Sequence, residues 1–498
     1  MIRHEPARLS ALTCAAVLSA ITLSAAAARA AGPVTFAKTY ADVIFRTTQQ
    51  KFTEPYGVQA TSDGGYIFLA SAYCQTEACI QANGNINPLV NWLVKTDAFG
   101  NPQWQKELGC FSRLGQNTIG ASIQQTTDGG YIVGGGENNY DNCANGPVQS
   151  AIVEKLDSNG NLSWSRIYPM GIGGDGISAI RQTPDGGYIA AGGVYGAGTT
   201  ASGALVLKLD AQGNVRWHSV LGPLGSTLAF FNAIQPTSDG GYVTTGNYYT
   251  YPQCDPLPCE NGVVAKLDSK GAVLWQNVLT GPGSGSWTDS IIEASDGAYV
   301  TAGEWFGTRE KGGLLVKLDS NGNILWQNTY SGGITSCGEE LGVGIYSVKQ
   351  AADGGYFLAG DGEVVLSGGV VELVPWLGKV DSSGGNLLWE HFYYQVLNGL
   401  SLSEYFAGGD VAKDGGYIAA GYSEDYSKQL GVLFVVKTDG SGLCGGNCAD
   451  VHPDEGLTVV NPGLSLSPAA LPVNITRTPG KNSPDQTKPT GITAKKDC

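Results

Sequence analysis

Two short stretches, DGGY at Asp185–Tyr188 and KLDAQGNVRW at Lys208–Trp217, recur along the chain and decide its fold. The first string, or a near match, occurs seven times at intervals of 54 to 65 residues. A K-x-D-x-x-G string follows each copy, and six of the seven carry a Trp seven or eight residues after its Asp. Repetition with this period indicates an array of similar structural units. The DGGY-type copies begin at Asp63, Asp128, Asp185, Asp239, Asp296, Asp353 and Asp414.

Each copy is predicted to form four β-strands. Asp-Gly-Gly favours the positive φ angles of a tight hairpin, and the apolar run after it, as at Tyr188–Ala191, is typical of a buried strand. Asp-x-x-Gly predicts a second hairpin, built on a type I turn with a glycine bulge. Helical periodicity is sustained nowhere. Because a four-stranded unit cannot bury both of its faces alone, we expect an all-β fold, a seven-bladed β-propeller of four-stranded blades.

The first strand of each unit is expected to lie nearest the propeller axis, because the residue six positions before each DGGY Asp is small. These residues are Gly57, Ser122, Ala179, Ala233, Ser290, Ser347 and Gly408. The seventh copy has no Trp after Asp439, and Phe36–Tyr40 matches Trp326–Tyr330. We therefore expect the N-terminal strand to complete the last blade, which would hide the two edges of an open array.

The two ends of the chain are predicted to lie outside the propeller, which is assigned to residues 31–450. Residues 1–30 have the pattern of a secretory signal peptide, with Arg3 and Arg8 before an apolar run and a small-x-small cleavage site at Ala28–Ala30. A membrane anchor is the alternative for this run, and no later stretch is apolar enough to span a bilayer. Residues 451–498, rich in Pro, Thr, Ser and Lys, are predicted to be a flexible tail. We expect a monomer that is secreted, periplasmic or held at the cell surface.

Charge and cysteine content limit the partners and the compartment. The net charge of −15 repels nucleic acid and anionic lipid, so neither is an expected partner. Ten cysteines remain after residue 30, an even number typical of an oxidising compartment. Three pairs of cysteines that are close in sequence could each close a short loop with a disulfide. Two further cysteines are assigned to disulfides with their partners left open. The pairing of Cys337 and Cys498 is also left open. The assigned cysteines are Cys74 and Cys79, Cys254 and Cys259, Cys444 and Cys448, and then Cys110 and Cys143.

A ligand site is predicted at the end of the units where connections vary in length, because the two hairpins of each unit are nearly constant. Aromatic residues there could stack on sugar faces or hold a peptide. Carboxylates there could bind Ca²⁺ or form a catalytic acid/base pair. The alternative is that the aromatic rings cover blade tops and the carboxylates form a solvated rim. The candidate ligand-binding residues are Tyr73, Tyr195, Tyr249, Phe306, Trp305, Trp287, Asp175, Asp289 and Glu340.

The DGGY and KLDxxGNxxW unit resembles the repeat of secreted bacterial β-propeller proteins. Lys208–Trp217 is also distantly similar to the tryptophan-docking repeat of quinoprotein-like propellers. The resemblance covers residues 34–442 and implies architecture rather than function. Quinoprotein dehydrogenases carry an adjacent Cys-Cys pair, which this chain lacks, so the resemblance implies no quinone cofactor. Calcium is the one cofactor that the sequence leaves open.

The sequence lacks the residue patterns that most catalytic mechanisms require. The chain has four His, no GxSxG elbow with a partner His, and no phosphate-binding or dinucleotide-binding loop in the required context. We therefore expect an exported binding or scaffold protein, not an enzyme, whose variable end binds a polysaccharide or another extracellular protein. One alternative is a secreted hydrolase, lyase or quinone-linked oxidoreductase that uses acidic residues at the propeller mouth. A structural component of the cell envelope is the other alternative, and no catalytic residue is assigned.

Overall fold

The computed structural model describes residues 34–40, 53–73, 89–108, 122–139, 148–168, 174–195, 203–221, 228–250, 259–280, 285–306, 311–334, 340–365, 371–393, 396–397, 400–401, 403–425, 430–444, 451–453, 458–460 and 465–467. Every helix or strand assigned within these ranges is a β-strand, so the fold is all-β as predicted. The described part of the chain contains no helix that could cross a membrane. The predicted signal peptide, residues 1–30, lies outside the described residues.

The strands follow the repeat, and we number the seven copies as units one to seven. The N-terminal strand is β1 (Phe36–Tyr40). Unit one holds β2 (Thr53–Ala60), β3 (Tyr66–Tyr73), β4 (Leu89–Thr96) and β5 (Pro102–Leu108). Unit two holds β6 (Ser122–Gln125), β7 (Tyr131–Asn139), β8 (Val148–Leu156) and β9 (Leu162–Tyr168). Unit three holds β10 (Gly174–Gln182), β11 (Tyr188–Tyr195), β12 (Gly203–Leu209) and β13 (Val215–Leu221).

The remaining units repeat this order. Unit four holds β14 (Leu228–Pro236), β15 (Tyr242–Thr250), β16 (Cys259–Leu267) and β17 (Val273–Thr280). Unit five holds β18 (Gly285–Glu293), β19 (Tyr299–Phe306), β20 (Lys311–Leu318) and β21 (Ile324–Ile334). Unit six holds β22 (Glu340–Gln350), β23 (Tyr356–Val365), β24 (Val371–Val380) and β25 (Leu387–Tyr393). A two-stranded hairpin, β26 (Val396–Leu397) and β27 (Leu400–Ser401), precedes β28 (Ser403–Val411), β29 (Tyr417–Asp425) and β30 (Leu430–Thr438) of unit seven. The tail holds β31 (Val451–Pro453), β32 (Thr458–Val460) and β33 (Ser465–Ser467).

Consecutive strands of a unit pair antiparallel. In unit three, Tyr188 of β11 lies opposite Gln182 of β10 and Leu209 of β12. Unit seven has three strands of its own, and β1 pairs antiparallel with β30 to make a four-stranded sheet. The pairing of the N-terminal strand with the last unit is therefore present in the structure.

Both hairpins of a unit use the predicted turn chemistry, and in unit one the two glycines of the DGGY hairpin have different roles. Gly64 has a φ of +87°, and its N–H donates to the Thr61 carbonyl oxygen at 2.9 Å. This positive φ is the conformation that glycine adopts without steric cost. A Cβ on Gly65 would lie 2.1 Å from the Thr96 oxygen and 2.7 Å from Lys95 Nζ. The second glycine therefore makes room for the neighbouring strand and its lysine.

The repeated lysine forms an ion pair with the DGGY aspartate in every unit. The seven Nζ–carboxylate distances run from 2.5 to 3.0 Å, and the lysine side chains are 0 to 8% exposed. Burial opposes ionisation of Asp63, but hydrogen bonds from Lys95, Thr61 and the Gly65 N–H lower the pKa of its carboxyl to about 2. The pair thus ties the DGGY turn to the third strand within each unit.

Neighbouring units interlock through the aromatic residue of the fourth strand. The ring of Trp164 covers Gly213 in the turn of the next unit so closely that a Cβ there would lie 2.8 Å away. Each such ring also contacts the DGGY tyrosine of the next unit. The ring pairs are Trp104–Tyr131, Trp164–Tyr188, Trp217–Tyr242, Trp275–Tyr299, Trp326–Tyr356, Trp389–Tyr417 and, from β1 to unit one, Phe36–Tyr66.

Three short segments of the C-terminal tail are β-strands. β31, β32 and β33 pair antiparallel with the outer strands of units six, five and four, namely β25, β21 and β17. An outer strand presents unpaired N–H and C=O groups along its free edge, and a neighbouring segment can satisfy them. Each tail strand therefore adds one short outer strand to a different unit, in the order six, five and four. Residues 468–498 lie outside the described residues.

Candidate functional site

The first strands of all seven units line one cavity of about 460 Å³, which we call the central cavity. All seven small residues that the sequence placed nearest the axis contribute to its wall. They are Gly57, Ser122, Ala179, Ala233, Ser290, Ser347 and Gly408. Small side chains at this position leave the cavity open, so larger side chains elsewhere on the same strands decide its chemistry.

Asp289 is the carboxylate that lines the central cavity. Asn232 Nδ2 donates to Asp289 Oδ1 at 2.9 Å and to the Thr288 carbonyl oxygen at 3.1 Å. Burial, and then the negative charge of Glu304, raise the pKa of Asp289 to about 7 despite the Asn232 bond. A carboxyl with this pKa exchanges its proton near neutral pH, unlike an exposed aspartate.

A second group of acids surrounds Tyr346, which also lines the central cavity. The Tyr346 hydroxyl donates to Asp361 Oδ2 at 2.9 Å, and the Gly344 N–H donates to Asp361 Oδ1 at 3.1 Å. A Cβ on Gly344 would lie 2.5 Å from Glu304 Oε1 and 2.7 Å from Asp361 Oδ1, so these two oxygens are at most 5.2 Å apart. Burial and both carboxylates raise the pKa of the Tyr346 phenol. The phenol therefore stays protonated as a donor between them.

Aromatic rings lie on the first and second strands of units four and five, toward the ends that meet the variable connections. Trp287 packs edge-to-face on Phe306 at 5.1 Å between ring centroids, and its indole N–H donates to Glu260. In unit four, Phe230 stacks on Tyr249 at 5.8 Å. All four rings are partly exposed. This arrangement combines aromatic surface with a carboxylate, which suits a sugar or a polar peptide.

The structure describes the predicted site residues to different extents. Trp305 is 7% exposed and packs in the core between units four and five, so its ring has little access to a ligand. Four others are described by backbone alone and lie at strand ends away from the DGGY hairpins, with Gly174 opposite Tyr195. These four are Tyr73, Tyr195, Asp175 and Glu340. Tyr249, Phe306, Trp287 and Asp289 remain as described candidates.

Most predicted disulfide cysteines fall outside the described residues. Cys74, Cys79, Cys110, Cys143, Cys254 and Cys448 are among these, and Cys259 is described by backbone alone. Cys444 is 1% exposed and disulfide-bonded. Its pairing with Cys448 stays a prediction.

Metal ligation finds no ready cluster in the part of the chain that the structure describes: no three His, Cys, Asp or Glu side chains are grouped there to hold an ion. The calcium site left open by the sequence stays untested.

Two residues of the central cavity, Asn232 and Tyr346, were not predicted from the sequence. Both lie seven residues before a DGGY Asp, which is also the position of Asp289. Aligning the units on that Asp would have brought the three together.

No protein-family model and no curated protein matches the chain. Among solved structures it is similar to a variant of the NanB sialidase from Streptococcus pneumoniae, at 11% identity and a TM-score of 0.38, over 82% of this chain and 71% of that one. It is also similar to a PL25 ulvan lyase, at 8% identity and a TM-score of 0.45, over 81% and 94% of the two chains. A mannose phosphorylase from Leishmania mexicana matches at 13% identity and a TM-score of 0.30, over 58% and 92%. Likenesses of this size do not establish a shared activity.

Proposed function

We propose that this protein is an exported seven-bladed β-propeller, closed by its N-terminal strand, that binds a polysaccharide at the variable-connection end of its central cavity. The architecture is supported by one cavity lined by first strands of all seven units and by the pairing of β1 with β30. Consecutive units interlock through equivalent ring pairs, and the Phe36–Tyr66 pair links β1 to unit one.

The observation that carries the binding function is the pair of partly exposed ring contacts, Trp287–Phe306 and Phe230–Tyr249, at the variable-connection ends of units five and four. The indole face can stack on the apolar face of a sugar, while the Asp289 carboxyl and its Asn232 partner offer hydrogen bonds deeper in the cavity. Glu260 holds the indole N–H, which orients the ring before any ligand arrives. Preorganised aromatic anchors of this kind reduce the ordering cost of binding.

Screening the mature chain on a polysaccharide and glycan array tests this proposal, followed by calorimetric titration of the hits. Trp287→Ala and Tyr249→Ala should each weaken binding about tenfold or more, as truncation of an aromatic anchor does. Phe99→Ala is the matched control, because Phe99 is a 60% exposed ring on a constant hairpin. If no glycan on the array binds and an extracellular protein is captured instead, the ligand is a protein and not a polysaccharide. A blank result in both would overturn the binding function.

A secreted hydrolase or lyase is the second candidate, favoured by the convergence of acids beside the central cavity. Asp289 is suited to donate a proton near neutral pH, and the Tyr346 phenol is held by two carboxylates. The test is release of reducing ends or unsaturated products from the polysaccharides that the array identifies. Asp289→Asn and Tyr346→Phe should abolish turnover while binding persists. Binding without any product from the parent protein would exclude this candidate for those polysaccharides.

A further inference from the structure

A second polar position lies on the same first strands, nearer the DGGY hairpins. It stands four residues before each DGGY Asp, and units one, two and four carry Gln there. Units three and six carry Arg181 and Lys349, and both side chains line the central cavity. In chain order the seven residues are Gln59, Gln124, Arg181, Gln235, Ile292, Lys349 and Asp410.

In three units this position serves as a latch between neighbouring first strands. Its side-chain oxygen accepts a hydrogen bond from a backbone N–H of the following unit, and unit seven bonds to unit one in this way. The bonds run from Gln125 N to Gln59 Oε1 (2.6 Å), from Gln182 N to Gln124 Oε1 (2.6 Å) and from Ala60 N to Asp410 Oδ2 (2.9 Å). In these three units the position therefore has a structural role that requires an acceptor.

Arg181 and Lys349 cannot perform this role, because a guanidinium and an ammonium have no acceptor atom. The following units compensate. The residue that would donate to Arg181 is Pro236, which has no N–H, and the Val411 N–H donates to Asp410 Oδ1 at 3.0 Å instead. Ile292 of unit five cannot form the latch either, but at Arg181 and Lys349 its absence comes with a cation that faces the cavity and with no unpaired backbone donor in the following unit. Breaking a repeated local rule with such compensation is typical of functional positions.

Among the described residues, neither Arg181 nor Lys349 has a carboxylate of its own as an ion-pair partner. Arg181 Nη1 donates to Ser122 Oγ at 3.0 Å and to the Ile180 carbonyl oxygen at 2.7 Å. Lys349 Nζ has no hydrogen bond or ion pair among the described residues. Burial lowers the pKa of both groups, and Asp410 opposes that effect on both. Asp410 is one carboxylate for two cations, and two backbone N–H groups already bond it.

We propose that the hairpin end of the central cavity binds a small oxyanion, a carboxylate, sulfate or phosphate group, between Arg181 and Lys349. A guanidinium matches the planar geometry of an oxyanion, and an ammonium adds a second point charge. Two cations that face one cavity, are shielded from water and share one carboxylate are otherwise a cost to the fold. This site is separate from the aromatic rings of the proposed polysaccharide site and does not depend on that function.

Calorimetric titration of the mature chain with sodium sulfate, phosphate and glucuronate, at ionic strength held constant with chloride, tests the proposal. Arg181→Gln and Lys349→Gln install the residue that units one, two and four carry, so both variants should fold. Each should weaken oxyanion binding by about tenfold, as expected for loss of a charge-assisted contact. Lys270→Gln is the matched control, since it removes one positive charge from an exposed hairpin.

Weakening in the two cavity variants alone supports the site, and the anion that binds most tightly identifies the ligand class. No binding of any of the three anions to the parent protein overturns it. Equal weakening in all three variants also overturns it, because the effect would then follow net charge. Neither failure bears on the Trp287 variants, which test the polysaccharide site independently.

Discussion

Phe36 covers Gly100 in the same way that Trp104 covers Gly160 one unit later. A Cβ on Gly100 would lie 2.6 Å from the Phe36 ring, and one on Gly160 would lie 2.8 Å from the Trp104 ring. Residues of the N-terminal strand thus take the place of the Trp that unit seven lacks. Tyr40 adds a hydrogen bond from its hydroxyl to the Gly100 carbonyl oxygen at 2.7 Å, as Tyr168 does to Gly213.

Phe36→Ala should lower the free energy of unfolding by about 3 kcal/mol, since it empties a core position between unit seven and unit one. Deleting Val34–Tyr40 should destabilise the protein further by exposing the edge of β30. Thr39→Ala, at an exposed position of the same strand, should change stability by less than about 0.5 kcal/mol. Denaturant titration measures all three. Equal stability of the deletion variant and the parent would contradict a closing strand.

The Lys–Asp pairs should make the protein sensitive to acid. The pKa values of Asp63, Asp128, Asp185 and Asp239 are lowered from 3.8 to about 2 in the folded state. Lowered values contribute stability above about pH 4, and that contribution is lost as the pH falls from about 4 to 2. Calorimetry should show the Tm falling over this window. Asp185→Asn should have a lower Tm at pH 6 and a shallower fall, and an unchanged slope would argue against the assignment.

Asp289 should have the opposite effect, because its pKa is raised to about 7. The unfolded chain ionises this carboxyl near pH 4 while the folded protein keeps it protonated, so stability falls as the pH rises from about 4 to 7. Asp289→Asn should raise the Tm at pH 8 by roughly 2 °C and leave it nearly unchanged at pH 4. Thermal unfolding at the two pH values measures this. A variant with the same pH dependence as the parent would show that Asp289 titrates normally.

The paired part of the tail should contribute to stability, whereas the segment after it should not be required. Truncation after Asp450 removes β31, β32 and β33, and should cost about 1–3 kcal/mol, since three short ladders are offset by the entropy of ordering them. Truncation after Ser467 is the matched control and should leave the unfolding free energy unchanged. If both truncations unfold like the parent, the tail strands add nothing to the fold.

The parts of the fold that could be predicted from the sequence are those that depend on interactions between residues of one unit. The turn at Thr61–Gly65 and the pairing of Lys95 with Asp63 depend on residues within one unit, so their spacing is visible in the chain. The match between Phe36–Tyr40 and Trp326–Tyr330, together with the Trp that the seventh copy lacks, likewise predicts a strand and its place beside the last unit. The period of the repeat then implies seven similar units whose faces must be covered.

The site depended on the tertiary structure, because its members come from different units. Asn232, Asp289 and Tyr346 follow one another at intervals of 57 residues in sequence and share a cavity only because the first strands line it together. The pKa of Asp289 follows from burial and from Glu304 on a neighbouring strand, which no local pattern encodes. The sequence alone determined the repeated unit, since turns and strands are local, and packing between units decided which side chains face the cavity and which, like Trp305, enter the core.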